Sequence, residues 1–195
     1  MNDTIVREYF ELNGFLVLQP RKHTVPGRHK TAREEVDFVL TRPVNATHGV
    51  ASSFVWTGDD LRPVARAIVG ILGWHSERLY PARLEKEPDL YRFAEKDALR
   101  YAQNLLGTGK FARILCLPRL PVGEDLRSRS VELLKERGID GVITFGTMLM
   151  ELARSVDVNR NYGKSDLLQI MRLLKNYDLI RDEQLDLFID RRNRP

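Results

Sequence analysis

The sequence predicts an α/β fold in which helices flank a mixed central sheet, and three observations lead to this prediction. Short apolar runs with the period of strands alternate along the chain with longer amphipathic stretches that have the period of helices. Residues 65–74 are apolar at nearly every position, which is typical of a strand buried on both faces of a sheet. A chain of 195 residues, 43% of them hydrophobic, is long enough to bury one sizeable core.

The first half of the chain predicts one helix followed by strands. Apolar residues at helical spacing extend to Leu12, Asn2 or Asp3 can cap the start of this helix, and Gly14 supplies a left-handed stop. Pro43 ends the second strand. The strand candidates of this half are residues 15–23, 33–43, 50–57 (a strand or an extended edge) and 65–74.

The second half predicts alternating helices and strands, after a stretch at residues 75–91 that has little regular structure. The helix candidates are residues 89–106, 124–137 and 147–156, and the strand candidates are residues 111–117 and 141–146. A helical remainder follows, with a cap at Ser165 and a break at residues 176–178. We therefore assign residues 1–157 to an α/β domain and residues 158–195 to a helical C-terminal extension.

The charge and the cysteine content narrow the class of protein. A formal net charge of +4 and a pI near 9.3 are compatible with a polyanionic partner. The single cysteine, Cys116, excludes an intrachain disulfide and is expected in the core, since it lies in an apolar run. No stretch approaches the roughly 18 uninterrupted apolar residues of a membrane span. We expect a soluble protein of the reducing cytoplasm, without a membrane partner.

The stretch REEVDFVL, residues 33–40, carries two carboxylates on one face of a predicted strand. Val36, Phe38 and Leu40 alternate as one apolar face, whereas Glu35 and Asp37 begin the other. Two carboxylates two residues apart on a strand can point at the same hard cation. The alternative is the solvated face of an edge strand, and the pattern leaves both open.

Glu8 is the third carboxylate of interest. It lies three residues after Ile5 and four before Leu12, which places it beside the apolar stripe of the first helix. A carboxylate there has to reach solvent, pair with a cation or bind a metal ion. A boundary residue paired with a neighbouring arginine is the alternative.

The connection between the first two strands is strongly basic. No acidic residue lies between Arg21 and Arg33, and Pro26 and Gly27 mark a turn. Clusters of this kind neutralise phosphates, and imidazoles and turn N–H groups add contacts. An exposed loop that is basic for solubility is the alternative. The predicted nucleic-acid-binding residues are Arg21, Lys22, Arg28, His29, Lys30 and Arg33.

The order helix, strand, strand, strand, helix, strand resembles the restriction-endonuclease-like fold of the PD-(D/E)XK nuclease superfamily. The resemblance covers roughly residues 3–117 and implies an acidic residue on the first helix, matched by Glu8, and one on the second strand, matched by Asp37. It also implies a Glu-x-Lys pair on the third strand, with a divalent metal on the carboxylates. Those two positions fall on Gly70 and Leu72, which cannot fulfil either role.

The resemblance sets the expected ligands and catalytic groups. If a metal binds, the expected ion is Mg²⁺ and the expected ligands are Glu8, Glu35 and Asp37. A catalytic set would be Glu8, Asp37 and a relocated Lys96, with Glu95 as a second candidate on the same helix. Orienting an attacking water needs such a group in addition to the ligands.

We therefore expect a nucleic-acid-binding protein with a nuclease-like domain, weakly active or inactive because its catalytic motif is incomplete. DNA is favoured over RNA as the partner. One alternative is an active metal-dependent nuclease with a relocated catalytic residue. Another is a non-enzymatic interaction or regulatory module whose functional surface is a homodimer interface.

Overall fold

The computed structural model describes residues 1–20, 36–43, 48–73, 75 and 78–180. Its centre is a five-stranded sheet with the strands in chain order. The first three strands pair antiparallel, and the third, fourth and fifth pair parallel. The strands are β1 (Leu16–Leu18), β2 (Phe38–Thr41), β3 (Arg66–Ile71), β4 (Ala112–Leu117) and β5 (Gly141–Thr144).

Helices cover both faces of the sheet, so the predicted class, an α/β fold with a mixed sheet flanked by helices, is confirmed. Two short 3₁₀ helices, Asp59–Leu61 and Pro88–Ala94, lie in the connections. The α-helices within the described ranges are α1 (Asn2–Leu12), α2 (Pro81–Lys86), α3 (Lys96–Leu106), α4 (Glu124–Glu136), α5 (Phe145–Ser155) and α6 (Asp166–Asn176).

The core has two layers, one on each face of the sheet. On the first face, α1 and α5 pack against apolar side chains of the sheet such as Phe38 and Ile114. On the second face, α2, α3, α4 and the Pro88–Ala94 helix pack against side chains such as Ile68 and Leu115. Cys116 is fully buried in the first layer, and burial raises the pKa of its thiol, which fits a core residue.

The described part of the C-terminal extension shares the first layer. Met171 of α6 is buried in it, and the Lys175 ammonium donates to the Val156 carbonyl at 3.1 Å. The predicted cap is present, because the Ser165 hydroxyl accepts from the Leu168 N–H at 3.3 Å. The predicted break follows the end of α6, where Asp178 has a φ of 57°.

Several predicted elements are confirmed in position. β3, from the most apolar run, is the middle strand of the five. Gly14 follows α1 with a φ of 79°, the left-handed conformation that a glycine tolerates. Residues 54–56 extend the sheet beside β5 through a bridge between Val55 and Val142.

Other elements differ from the prediction for local reasons. Residues 75–91 contain α2 and most of a 3₁₀ helix, so the prediction of little regular structure there was wrong. The single helix over residues 89–106 is broken, because Glu95 is extended (ψ 168°). Residues 88–94 form 3₁₀ turns, and this period aligns the buried Leu90 and Phe93, which lie three residues apart.

Two helix starts also move. α5 begins at Phe145 and not at Thr147, because the Thr144 hydroxyl accepts from the Thr147 N–H at 3.1 Å and caps the helix. α1 begins at Asn2 with Met1 as its N-cap, so Asn2 and Asp3 are first-turn residues and not caps. Their side chains are engaged elsewhere, as described below.

One edge of the sheet gathers the ends of β1, β3, β4 and β5 and the start of β2, and we call it the carboxyl edge. α1 is joined to β1 by a tight turn and runs antiparallel to it, so the first turn of α1 lies at this edge. Within the described ranges, no helix has both the length and the apolar character needed to cross a lipid bilayer.

Candidate functional site at the carboxyl edge

Asp37 lies at the carboxyl edge, where β2 begins beside the end of β3. Its backbone N–H donates to the Val69 carbonyl at 3.0 Å, and its Oδ2 accepts from the Ile71 N–H at 2.6 Å. The register that pairs Phe38 with Val69 puts Asp37 opposite Gly70. The half-buried carboxylate therefore holds the end of β3, in the position that the sequence predicts for an acidic site residue.

The position opposite Asp37 is filled by an aromatic ring. A Cβ built on Gly70 would lie 2.5 to 2.9 Å from three ring atoms of Phe93, which is itself buried. Leu72, the second position expected for the Glu-x-Lys pair, packs at the margin of the same core layer. The structure therefore gives a physical reason why the Glu-x-Lys pair is missing: a carboxylate at residue 70 would have no room while Phe93 is in place.

We expect Gly70→Ala to destabilise the protein by about 1–3 kcal/mol, the usual cost of overpacking a filled core. Urea unfolding measures the free energy directly. Gly163→Ala is the matched control, because the nearest neighbour of a Cβ there is 3.8 Å away. Adding Phe93→Leu to Gly70→Ala should recover part of the loss. A Gly70→Ala protein as stable as the control would show that Phe93 does not occupy this space.

The first turn of α1 is tied to the same edge through polar side chains. Gln19, directly after β1, donates from Nε2 to Asp3 Oδ2 at 2.9 Å and accepts from Arg7 at 3.1 Å through Oε1. The Arg7 guanidinium lies over the ring of Phe38, the residue after Asp37, 5.5 Å from the ring centroid. Asp3 is therefore the α1 carboxylate that reaches the carboxyl edge.

Glu8 lies further from this edge than the prediction requires. It is six residues after Asn2, which is roughly 9 Å along the helix axis. Its side chain is half-buried, and it has no hydrogen bond or ion pair with any residue in the described part of the chain. Nothing in the structure brings it into contact with Asp37. Sequence reasoning missed Asp3 because it treated this residue as a cap, although a helix turned tightly into a strand has to start near the end of that strand.

Lys96 is exposed at the start of α3 and lines a different cleft, of about 600 Å³. That cleft is formed with Arg113 of β4 and the end of α4, including Arg137, and Asp37 is not among its lining residues. Glu95, the second candidate, lines the same cleft. The structure therefore does not bring either residue to the carboxyl edge.

The described residues show no cluster of metal-ligating side chains. None of them form a group of three or more histidine, cysteine, aspartate or glutamate side chains suited to hold an ion. Glu35, predicted as a ligand beside Glu8 and Asp37, lies outside the described residues, so the ligand set for Mg²⁺ stays a prediction.

The predicted nucleic-acid-binding residues, Arg21 to Arg33, also lie outside the described residues. The residues on either side of that segment are described: Pro20 follows β1 and Val36 precedes β2, and both are buried at the carboxyl edge. Residues 21–35 carry five lysines and arginines and two glutamates, a formal charge of 5 − 2 = +3. The two ends of this segment are therefore joined to the edge that holds Asp37.

A second polar cleft, of about 760 Å³, lies at the opposite edge, where α1 ends. Both carboxylate oxygens of Glu151 accept from the Gly58 N–H, at 3.1 and 3.2 Å, and a Cβ at residue 58 would overlap this carboxylate. Burial raises the pKa of Glu151, although the Gly58 hydrogen bond acts against it. The buried Tyr9 hydroxyl is close to Glu151, but the two groups do not form a hydrogen bond of ordinary geometry. The carboxylate thus ties α5 to the start of the Asp59–Leu61 helix.

We expect the raised pKa of Glu151 to make stability fall as pH rises above about 4.3, the ordinary value for glutamate. In that range the folded state holds a proton that the unfolded state has lost, so the free energy of unfolding decreases. Glu151→Gln does not titrate, and its stability relative to the parent should increase from about pH 4 to 7. Urea unfolding across this range checks it, with the exposed Glu132→Gln as control. A pH-independent difference would contradict the assignment.

Comparison of the chain with protein-family models, with curated proteins and with solved structures found no match. The fold and the site by themselves define the class of protein. It is an α/β protein with a mixed five-stranded sheet and polar residues at the carboxyl edge of that sheet.

Proposed function

We propose that the chain binds nucleic acid, DNA in preference to RNA, through a restriction-endonuclease-like domain whose metal-dependent catalytic set is incomplete. One observation carries the proposal: Asp37 and the two anchors of the basic segment lie at the same edge of the sheet, and the position opposite Asp37 is filled by Phe93.

The fold part of the proposal is supported by topology. One helix precedes three antiparallel strands, helices follow, and the next strand returns parallel to β3. β2 is antiparallel to every other strand of the sheet. This is the element order on which the resemblance to the superfamily rests.

The binding part is supported by charge. Residues 21–35 carry a formal charge of +3 and are joined at both ends to residues of the carboxyl edge, and Arg119, exposed two residues after β4, adds another cation at that edge. Basic side chains and turn N–H groups contact phosphates irrespective of base sequence. The predicted binding is therefore largely electrostatic and independent of sequence.

The catalytic part is supported by what surrounds Asp37. Metal-dependent hydrolysis of a phosphodiester requires several ligands and a group that orients water. Gly70 and Leu72 supply neither, and Lys96 lines another cleft. Asp37 meanwhile accepts a backbone hydrogen bond, a structural role.

Incubating the protein with labelled duplex DNA, single-stranded DNA and RNA, with and without Mg²⁺ or Mn²⁺, tests this function. We expect retention of the nucleic acid in a gel-shift assay and no cleavage beyond that of Asp37→Ala. Metal-dependent cleavage abolished by Asp37→Ala would establish the active nuclease instead. No retention of any of the three substrates would refute the proposal and favour the interaction module.

A further inference from the structure

His75 is an exposed residue whose ring is nevertheless held in place. Its backbone N–H donates to the Gly73 carbonyl at 3.1 Å. Its Nε2 lies 2.7 Å from Asn2 Oδ1, and its ring meets Phe145 edge-on, with centroids 4.6 Å apart and planes at 80°. Exposed side chains ordinarily keep their rotamer freedom, and fixing one lowers the entropy it loses when it binds a ligand.

The contact with Asn2 depends on a glycine. The Asn2 side-chain amide packs directly on Gly73, and a Cβ at residue 73 would overlap it. This close approach brings the first turn of α1 against the end of β3 and carries Asn2 Oδ1 to the imidazole. Because an amide oxygen carries no hydrogen, Nε2 has to be the donor in this hydrogen bond.

Nδ1 is the remaining ring nitrogen, and it makes no hydrogen bond in the described part of the chain. In the neutral ring Nδ1 is an acceptor, and in the imidazolium both nitrogens donate. A protonated His75 can therefore keep its bond to Asn2 and donate from Nδ1 to a ligand oxygen.

The described residues that contact His75, namely Asn2, Gly73 and Phe145, carry no acidic side chain. On α1, the Asp3 carboxylate accepts from Gln19, and the Arg7 guanidinium donates to Gln19 and lies 3.6 Å from the Glu11 carboxylate. The first turn of α5, which begins with Phe145, has no acidic residue. Asp37 before β2 is engaged by the Ile71 N–H. The first turns of α1 and α5 both lie beside the ring and add the partial positive charge of helix starts.

We propose that His75 is a phosphate-binding residue of the nucleic-acid site, and that Asn2 and Phe145 are its positioning residues. This inference rests on the proposed function. Protonated His75 donates one charge-assisted hydrogen bond from Nδ1 to a phosphate oxygen.

The test compares duplex DNA binding by fluorescence anisotropy at about pH 6 and pH 8, since imidazoles change charge between these values. We expect the affinity of the parent to rise about 5-fold more than that of His75→Asn on lowering the pH, the size of one hydrogen bond. The slope of log K against log salt should steepen by about 0.9 more in the parent, as one extra phosphate contact requires.

Two further variants sharpen the test. His48→Asn removes an imidazole outside the carboxyl edge and should keep the full response of the parent; loss of the response there would overturn the proposal. Asn2→Ala should reduce the response to pH, because the His75 ring then keeps only its contact with Phe145. If Asn2→Ala weakened binding equally at both pH values, its role would be structural and the positioning claim would fail.

The outcomes separate the two proposals. Salt-dependent binding with the same response to pH in the parent and in His75→Asn overturns the role of His75 and leaves the proposed function standing. Absence of binding to DNA at both pH values overturns both.

Discussion

Reversing four charges of the basic segment, with Arg21, Lys22, Arg28 and Lys30 replaced by glutamate, is expected to weaken duplex DNA binding by roughly 100-fold at moderate salt. Each cation that contacts a phosphate releases a counterion on binding, so losing four contacts should also flatten the slope of log K against log salt by about 3.6. Fluorescence anisotropy over a salt series measures both quantities.

The control reverses four exposed charges away from the carboxyl edge: Arg100, Lys110, Arg160 and Lys164. Both variants have the same net charge, so the control separates a local contact from long-range attraction. We expect the control to weaken binding by less than about 10-fold, compared with roughly 100-fold for the variant of the basic segment, since distant exposed charges are largely screened. Equal losses in the two variants would contradict a binding role for residues 21–33.

The second large effect concerns stability. Trp56→Ala should lower the free energy of unfolding by about 3–5 kcal/mol, the usual cost of removing a buried tryptophan. Trp56 is fully buried, donates from Nε1 to the Ser53 carbonyl at 2.8 Å, and packs on Gly141 so closely that a Cβ there would overlap the indole. Its backbone N–H also joins residues 54–56 to β5.

Urea unfolding followed by circular dichroism measures this loss, and Trp56→Phe, which retains part of the ring volume, should cost less. A Trp56→Ala protein within about 1 kcal/mol of the parent would contradict its place in the core. Because it is buried, Trp56 does not stack on bases, and nucleic-acid binding by Trp56→Phe should be unchanged.

Patterns local in sequence predicted much of the fold. The apolar run that became β3 identified the central strand, since only a strand covered on both faces has so few polar positions. The helix stop at Gly14 and the helix cap at Ser165 depend on single residues and their neighbours, so both could also be predicted from the sequence. The broken helix at Glu95 was not, because packing of Leu90 and Phe93 in the core overrode the helical pattern.

The site was predicted only in part. Asp37 could be found because acidic and apolar residues alternate over residues 35–38 and the residues that follow on β2 are buried. The single apolar face predicted for Val36, Phe38 and Leu40 was wrong, because Val36 packs in the second core layer and the other two pack in the first. The contact between Gly70 and Phe93 joins residues far apart in the chain, and no local pattern indicates it. The contact between His75 and Asn2 could not be predicted from the sequence for the same reason, since it depends on how α1 packs against the end of β3.

Lys96 illustrates the limit of topology without geometry. The helix after β3 was the correct neighbour in chain order, but α2 and a 3₁₀ helix come first, and the start of α3 lies beside the end of α4. A position on the next helix therefore does not place a side chain at the end of the preceding strand.

The most direct measurement for the central claim is the salt dependence of duplex DNA binding by the unmodified protein, with and without Mg²⁺. The account predicts that log K falls linearly with log salt, with a slope steeper than about −3, and that binding does not require Mg²⁺. Affinity that stays constant as salt rises, or binding seen only when Mg²⁺ is present, would contradict it.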